Sequence, residues 1–225
     1  MTFAHAGSRQ RSSSECSSAV AWSKSEPFGA EFANVRVDRD RLCADGVAIG
    51  STPVPYRLDY TLVTGADFVA TEVEVTAWGD GWRRGLTLTH SSSGGWTAAT
   101  QSVGDPPLGP PGGDVGHFAD ALDPDLGLSP LFNTMPVLRH RIHEGGSAGD
   151  FAMVWISVPD LGLRRSAQRY TFVEESTEGR LVRFEAIDAD FVADVVFDER
   201  GLVVDYPGIA RRIPTPDYLE GSMTP

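Results

Sequence analysis

Cysteine is nearly absent from this chain of 225 residues, which holds only Cys16 and Cys43. One lies in a Ser-rich terminal stretch and the other beside an expected strand, so neither a disulfide nor a Cys-rich metal site is expected, and both read as free thiols. Long apolar runs are missing too: no segment approaches the roughly 20 consecutive apolar residues that a membrane helix needs. The opening residues, MTFAHAGSRQRSSSECSS, carry charges but no apolar run of roughly 7 to 15 residues, so no secretory signal is read and the expected location is cytoplasmic. Basic charge is scarce. Lys and Arg number 19 against 31 Asp and Glu, giving a formal net charge of −12 and an isoelectric point near 4.7. Nucleic acids and anionic membrane surfaces are recognised through clustered basic residues, so both are excluded as expected partners, and the acidic balance serves instead to keep the protein dispersed. Helical periodicity is the last absence: no window longer than about ten residues sustains a 3.6 period with caps, and only Val115 to Leu122 suggests a helical turn.

What is present has a period of two. Leu58, Tyr60 and Leu62 alternate with Asp59 and Thr61, and Val69, Thr71, Val73, Val75 and Ala77 alternate with Glu72, Glu74 and Thr76. Phe191, Ala193, Val195 and Phe197 repeat the pattern around Asp194, as do Leu202, Val204 and Tyr206 around Asp205. Successive side chains of a strand point to opposite faces, so these runs predict strands with one buried and one wet face. Turn signals fall between the runs at Asp45-Gly46, Thr64-Gly65, Gly79-Asp80-Gly81, Ser93-Gly94-Gly95, Glu178-Gly179 and Glu199-Arg200-Gly201. The expected fold is all-β with very little helix, an antiparallel meander in two sheet-rich halves.

The halves are divided by GDPPLGPPGGD, residues 104–114, whose prolines remove ladder donors; this stretch reads equally as a lid or as a plain surface connection. Residues 1–18 are too poor in apolar groups to offset the entropy of ordering and are expected to be disordered. A single β-rich domain over 19–213 and a C-terminal tail over 214–225 complete the expected organisation.

The densest chemistry runs from Asp120 to His143, DALDPDLGLSPLFNTMPVLRHRIH. Asp123 and Asp125 each offer two acceptor oxygens, Asn133 an acceptor and two donors, and Thr134 a hydroxyl, while Pro124, Pro130 and Pro136 fix φ at three points. Read as D-x-D-x-x-x-S-P-x-x-N-T-x-P-x-x-R, the segment resembles the signature of a bacterial glycolipid-binding family. The resemblance continues in PYRLDYTL (Pro55 to Leu62), WRRGLTLTHSSSGGW (Trp82 to Trp96), VWISVPDL (Val154 to Leu161), QRYTF (Gln168 to Phe172) and GLVVDYPGIARRI (Gly201 to Ile213), so it spans about Val20 to Ile213. It implies that the meander forms a large curved antiparallel β-sheet or half-barrel and, as partner, a glycolipid or another amphipathic ligand held without turnover. Asp123, Asp125, Asn133, Thr134 and Arg139 are the residues that the signature puts forward as a ligand site, with His90 and Trp82 added from the strands.

Each residue also has a plainer reading. Arg139 can form bidentate bonds to a ligand head group, or pair with Asp123 or Asp125 and lock the connection; the internal pair is the expected outcome. Asp123 and Asp125 in a turn can cap backbone N–H groups. The alternative chemistry is hydrolysis of a glycoside or ester by Asp123 or Asp125 with His90 or His140. His90 shares a face with Leu86 and Leu88 and reads first as a satisfied core histidine, and Trp78, Trp82 and Trp96 read first as core. A calcium loop counted from Asp123 fails, because Leu128 stands at its sixth position and Thr134 at its twelfth. His140 and His143 lie on an expected strand, where Leu138, His140 and Ile142 face one way and His143 the other, so no shared metal is expected. No Gly-x-Ser-x-Gly elbow or phosphate-cradling glycine loop occurs, and no cofactor is expected.

Overall fold

Residues 16–214 are described by a computed structural model. Seven strands form the first run: β1 (Cys16–Ser25), β2 (Phe28–Asp38), β3 (Arg41–Gly50), β4 (Tyr56–Thr64), β5 (Ala70–Gly79), β6 (Trp82–His90) and β7 (Trp96–Val103). The second run comprises β8 (Asp123–Leu126), β9 (Gly149–Ile156), β10 (Leu163–Ser176), β11 (Gly179–Ala186), β12 (Phe191–Phe197), β13 (Val203–Tyr206) and β14 (Ala210–Arg212), with one short helix, α1 (Thr134–Arg139). All fourteen join a single sheet in the order β7-β6-β5-β4-β3-β2-β1-β14-β13-β12-β11-β10-β9-β8. Pairing is antiparallel throughout except at the β8 edge, which runs parallel to β9. The two halves expected from the Pro/Gly stretch are therefore two meanders sewn together where β1 pairs β14, Trp22 opposite Arg212. The indole of Trp22, fully buried, donates to the carbonyl of Val203 at 2.9 Å across this seam.

The sheet curls until its edges approach. Trp96 of β7 donates through Nε1 to the carbonyl of Ala121, and the Ala70 amide of β5 to the carbonyl of Leu122. Between them the 104–114 stretch is pinned by reciprocal bonds, Gly112 N–H to Leu161 at 2.8 Å and Leu163 N–H to Gly112 at 2.9 Å. It serves as a strap between edges rather than a bare surface connection. The helical turn expected at Val115 appears as a 3-10 turn over Val115–Phe118. Residues 1–15 and 215–225, where the tails were expected, lie outside the described residues; Cys16, Ser17 and Ser18 open β1, and Cys43 is a free, half-buried thiol.

Burial follows the expected period, with instructive breaks. In β4, Tyr56, Leu58, Tyr60, Leu62 and Thr64 face inward. In β5 the alternation holds from Val73, but a bulge opposite Val63 and Thr64 turns Ala70 inward in place of Thr71. Asp45-Gly46, expected as a turn, lies in the middle of β3. Gly46 is there because the Tyr60 ring lies across it: a Cβ at Gly46 would sit 2.3 Å from that ring. Tyr60 cannot swing away freely, since its hydroxyl donates to Glu31 Oε1 at 2.8 Å. Gly46→Ala is therefore expected to cost about 1–3 kcal/mol by overpacking, and urea denaturation at neutral pH checks it; a neutral result would show the ring to be mobile.

Glu31 is the hub of a buried polar cluster. The chain's one lysine, Lys24, donates to its Oε2 at 2.8 Å, and Ser129 Oγ donates to its Oε1 at 2.5 Å. This ties residue 129, far along the chain, to the concave face of β2.

The concavity expected to hold a ligand is occupied over the first half. The inward residues of β1–β7 pack against Phe118, Leu126, Leu131, Phe132 and Met135 in one core, with Tyr60 and Phe132 edge to face at 5.4 Å. A second, smaller core of Tyr170, Val182, Phe184, Val195 and neighbours lines the second half. The reason is composition: residues 118–138 carry enough buried apolar groups to fill the trough themselves, and apolar surface packs to native density when it can.

Candidate functional site

Residues 120–144 do not form the strand expected near His140. Pro130–Asn133 makes a 3-10 turn that leads directly into α1, and Ile142–Glu144 forms another 3-10 turn. Thr134, Met135, Pro136 and Val137 are buried in succession, a continuous pattern that a half-wet strand cannot give, and Pro136 lies in the first helical turn, where its missing N–H is not needed. His140 is exposed and packs on Phe151 at 5.0 Å, whereas His143 is buried. Among the described residues no group of three or more His, Cys, Asp or Glu is placed to hold a metal ion.

The five residues of the signature separate into two constellations. Asp123 and Asp125 share one face of β8, opposite Met153 and Trp155 of β9, about 6.6 Å apart at the strand rise of roughly 3.3 Å per residue. Asp123, 1% exposed, takes a bidentate pair from Arg139, whose Nη1 is 2.8 Å from Oδ2 and whose Nη2 bonds to Oδ1. Arg139 also donates to the carbonyls of Asp67 and Phe68, at 2.9 and 3.0 Å. Burial pushes the Asp123 carboxyl above its ordinary value, and the Arg139 guanidinium pulls it back. The internal pair expected for Arg139 is formed, with Asp123 and not with Asp125. Thr134 opens α1 and is fully buried, its hydroxyl without a hydrogen-bond partner among the described residues.

Asp125 belongs to the second constellation. Asn133 Nδ2 donates to the Tyr170 hydroxyl at 2.8 Å, which donates to Gln168 Oε1 at 2.9 Å, and Gln168 Nε2 donates to Asp125 Oδ2 at 2.6 Å. Each member fixes the next one's orientation. Desolvation pushes the Asp125 carboxyl up to about 6, so it gives up its proton as pH rises through that value, whereas burial holds the Tyr170 phenol well above its usual range and keeps it protonated at neutral pH.

This relay is one wall of a cavity of ≈ 360 Å³ on the concave face of the second half. The aromatic part of the lining adjoins it: Phe184, edge to face with Tyr170 at 5.2 Å, stands 6.0 Å from Phe191 and 5.8 Å from Tyr206. Trp155 closes one side, with the Arg164 guanidinium 3.8 Å above its ring. Ser129, anchored on Glu31, lines it too. A cleft of ≈ 670 Å³ beside Arg139 is lined mainly by charged groups, including Arg39, Asp67 and Glu144, and Phe68 is the one aromatic side chain of Phe, Tyr or Trp type among its described lining residues.

The remaining expected residues lie elsewhere. His90 stacks on Trp96 at 4.6 Å, and its Nδ1 is 3.1 Å from the carbonyl of Ala70, the arrangement of a satisfied structural histidine. Trp82 lies across Gly79 and lines a separate groove with Pro106 and Pro107. Sequence reasoning missed Gln168, Tyr170, Trp155, Phe184, Phe191 and Tyr206. One signal was available: in QRYTF, Gln168 shares the inward parity of Tyr170, and a glutamine on a core-facing position has to be hydrogen-bonded there.

A family described as "Putative glycolipid-binding" matches residues 19–212, nearly the whole of the described chain. The chain belongs to that family. Among solved structures it is similar to a DUF1089 family protein from Pseudomonas aeruginosa, with 25% identity and a TM-score of 0.61 over 95% of this chain and 100% of that one. No curated protein matches it. The fold expected for the family is therefore present. Among the described residues no helix is long and apolar enough to cross a membrane.

Proposed function

We propose that the protein binds an amphipathic, sugar-bearing lipid in the cavity of its second half and holds it without chemical change. One observation carries this reading: a single cavity joins an aromatic wall of Phe184, Phe191 and Tyr206 to a polar wall whose hydrogen bonds run in one direction to Asp125. Ligand sites combine such apolar area with a few oriented polar groups, and ≈ 360 Å³ falls within the usual range of roughly 300–1,000 Å³. The family description supports the same class of ligand.

In this reading Asp125 and Asn133 face the head group, while Asp123 and Arg139 brace the wall that carries them. Thr134 is buried at the start of α1, and His90 and Trp82 stand outside the site. The carboxylates of Asp123 and Asp125 are committed to different partners, Arg139 and Gln168, which suits binding better than a paired acid and base.

Calorimetric titration with hexyl, heptyl and octyl glucosides below their micelle-forming concentrations tests the proposal. Each added CH₂ that enters the cavity contributes roughly 0.8 kcal/mol, so affinity is expected to rise about fourfold per methylene until the cavity is full. Absence of saturable binding, or affinity that ignores chain length, would remove this reading.

A further inference from the structure

The polar wall of the cavity is rich in acceptors. Gln168 holds Oδ2 of Asp125, and among the described residues Oδ1 of that carboxylate takes no hydrogen bond. Asn133 spends one of its two Nδ2 protons on Tyr170, which leaves a ligand its carbonyl oxygen and one N–H. Asp188 lines the same cavity, holding the Ala167 amide at 3.2 Å and the Ser166 hydroxyl at 3.4 Å. Among the described residues the one cation on the lining is Arg164, whose guanidinium lies 3.8 Å over the Trp155 ring.

We infer that the head-group end of this cavity selects uncharged, polyhydroxylated groups and turns away phosphate, sulfate and carboxylate. The inference rests on the cavity being the binding site and names the class of ligand that it takes. Vicinal hydroxyls of a sugar each bring a donor, and two neighbouring O–H groups can meet one carboxylate. An anionic head group brings acceptors where acceptors already stand, and places its charge beside Asp125 and Asp188. Arg164 offsets one of those charges, not both. The direction of the relay matters here: because Tyr170 donates to Gln168 and Gln168 to Asp125, the amide cannot turn to offer its carbonyl to Asp125 without breaking two bonds.

Octyl glucoside and octyl phosphate, equal in chain and different in head group, separate the possibilities when titrated at pH 8 into the full chain and into its Asp125→Asn and Arg164→Ala variants. The wild type is expected to bind the glucoside at least tenfold more tightly than the phosphate. In Asp125→Asn that ratio should shrink severalfold, chiefly through better binding of the phosphate, because asparagine keeps the bond from Gln168 and removes the charge. Equal affinities, or a preference for the phosphate that disappears in Arg164→Ala, would overturn the selectivity and leave the binding role standing. Failure of both ligands to bind would instead remove the binding role, and this inference with it.

Discussion

Arg139→Ala is expected to be the most damaging single substitution in the chain, lowering stability by about 3–5 kcal/mol, the usual cost of leaving one member of a buried ion pair unpaired. The guanidinium is 8% exposed and the Asp123 carboxylate 1%, so solvent can replace little of what is lost. Arg139 also supplies the carbonyls of Asp67 and Phe68, two residues with φ of 55°. Removing it frees the β4–β5 connection from α1 and β8 together. The loss should depend on pH. With the guanidinium gone, Asp123 sits further above its unfolded value, and a carboxyl raised in the folded state contributes stability at low pH that vanishes as pH rises through the folded value. The variant is thus expected to lose most at pH 8 and least near pH 5. Urea melts at the two pH values decide it, and a loss of under 1 kcal/mol at pH 8 would mean that water reaches the pair.

That brace was partly legible in the sequence. The D-x-D spacing and the distant arginine together suggested an internal lock, but strand parity could not say which aspartate Arg139 reaches, since both face the same way on β8. The choice is made by α1, which sequence periodicity did not reveal: six residues are too few to show a helical period, and their unbroken burial imitates a core strand. Turn chemistry read well wherever it joined two strands, as at Gly79-Asp80-Gly81 and Glu178-Gly179. It misled at Asp45-Gly46, where the glycine answers to a ring from the next strand and not to a turn. Local sequence carries the demands of local backbone; it does not carry the demand of a tyrosine fourteen residues on.

The cavity shows the same limit on a larger scale. Alternation predicted strands with an apolar inner face, the family resemblance implied a large curved sheet, and the sheet is there. What the alternation left open is how much of that face the chain covers with its own segment 118–138, which depends on tertiary packing between elements distant in sequence. Gln168 and Tyr170 were visible only as members of a strand. Their role comes from the partners that β8 and the 3-10 turn at Pro130–Asn133 bring to them.

Asp125→Asn is expected to make the protein more stable at neutral and alkaline pH and to leave it nearly unchanged in acid. The Asp125 carboxyl is raised from 3.8 to about 6, chiefly by desolvation. The folded state therefore holds this proton more tightly than the unfolded chain does. Stability from that difference is complete below pH 4 and is lost as pH climbs through about 6, after which the folded protein carries a charge in a poorly hydrated site. Asparagine carries none, and its side-chain oxygen still accepts from Gln168. The gap between 3.8 and about 6 is worth at most about 3 kcal/mol at roughly 1.36 kcal/mol per pH unit. The gain should be smaller than that, because Asp125 is half-buried and opens on the cavity, where water screens it. Thermal melts of both proteins at pH 4.5 and pH 8 provide the measurement, with the variant ahead only at the higher value. A difference of the same size at both would show that Asp125 keeps one protonation state across the range. The same variant weakens the glucoside preference, so a gain in stability paired with a loss of selectivity is the signature of a group kept for its ligand at the expense of the fold.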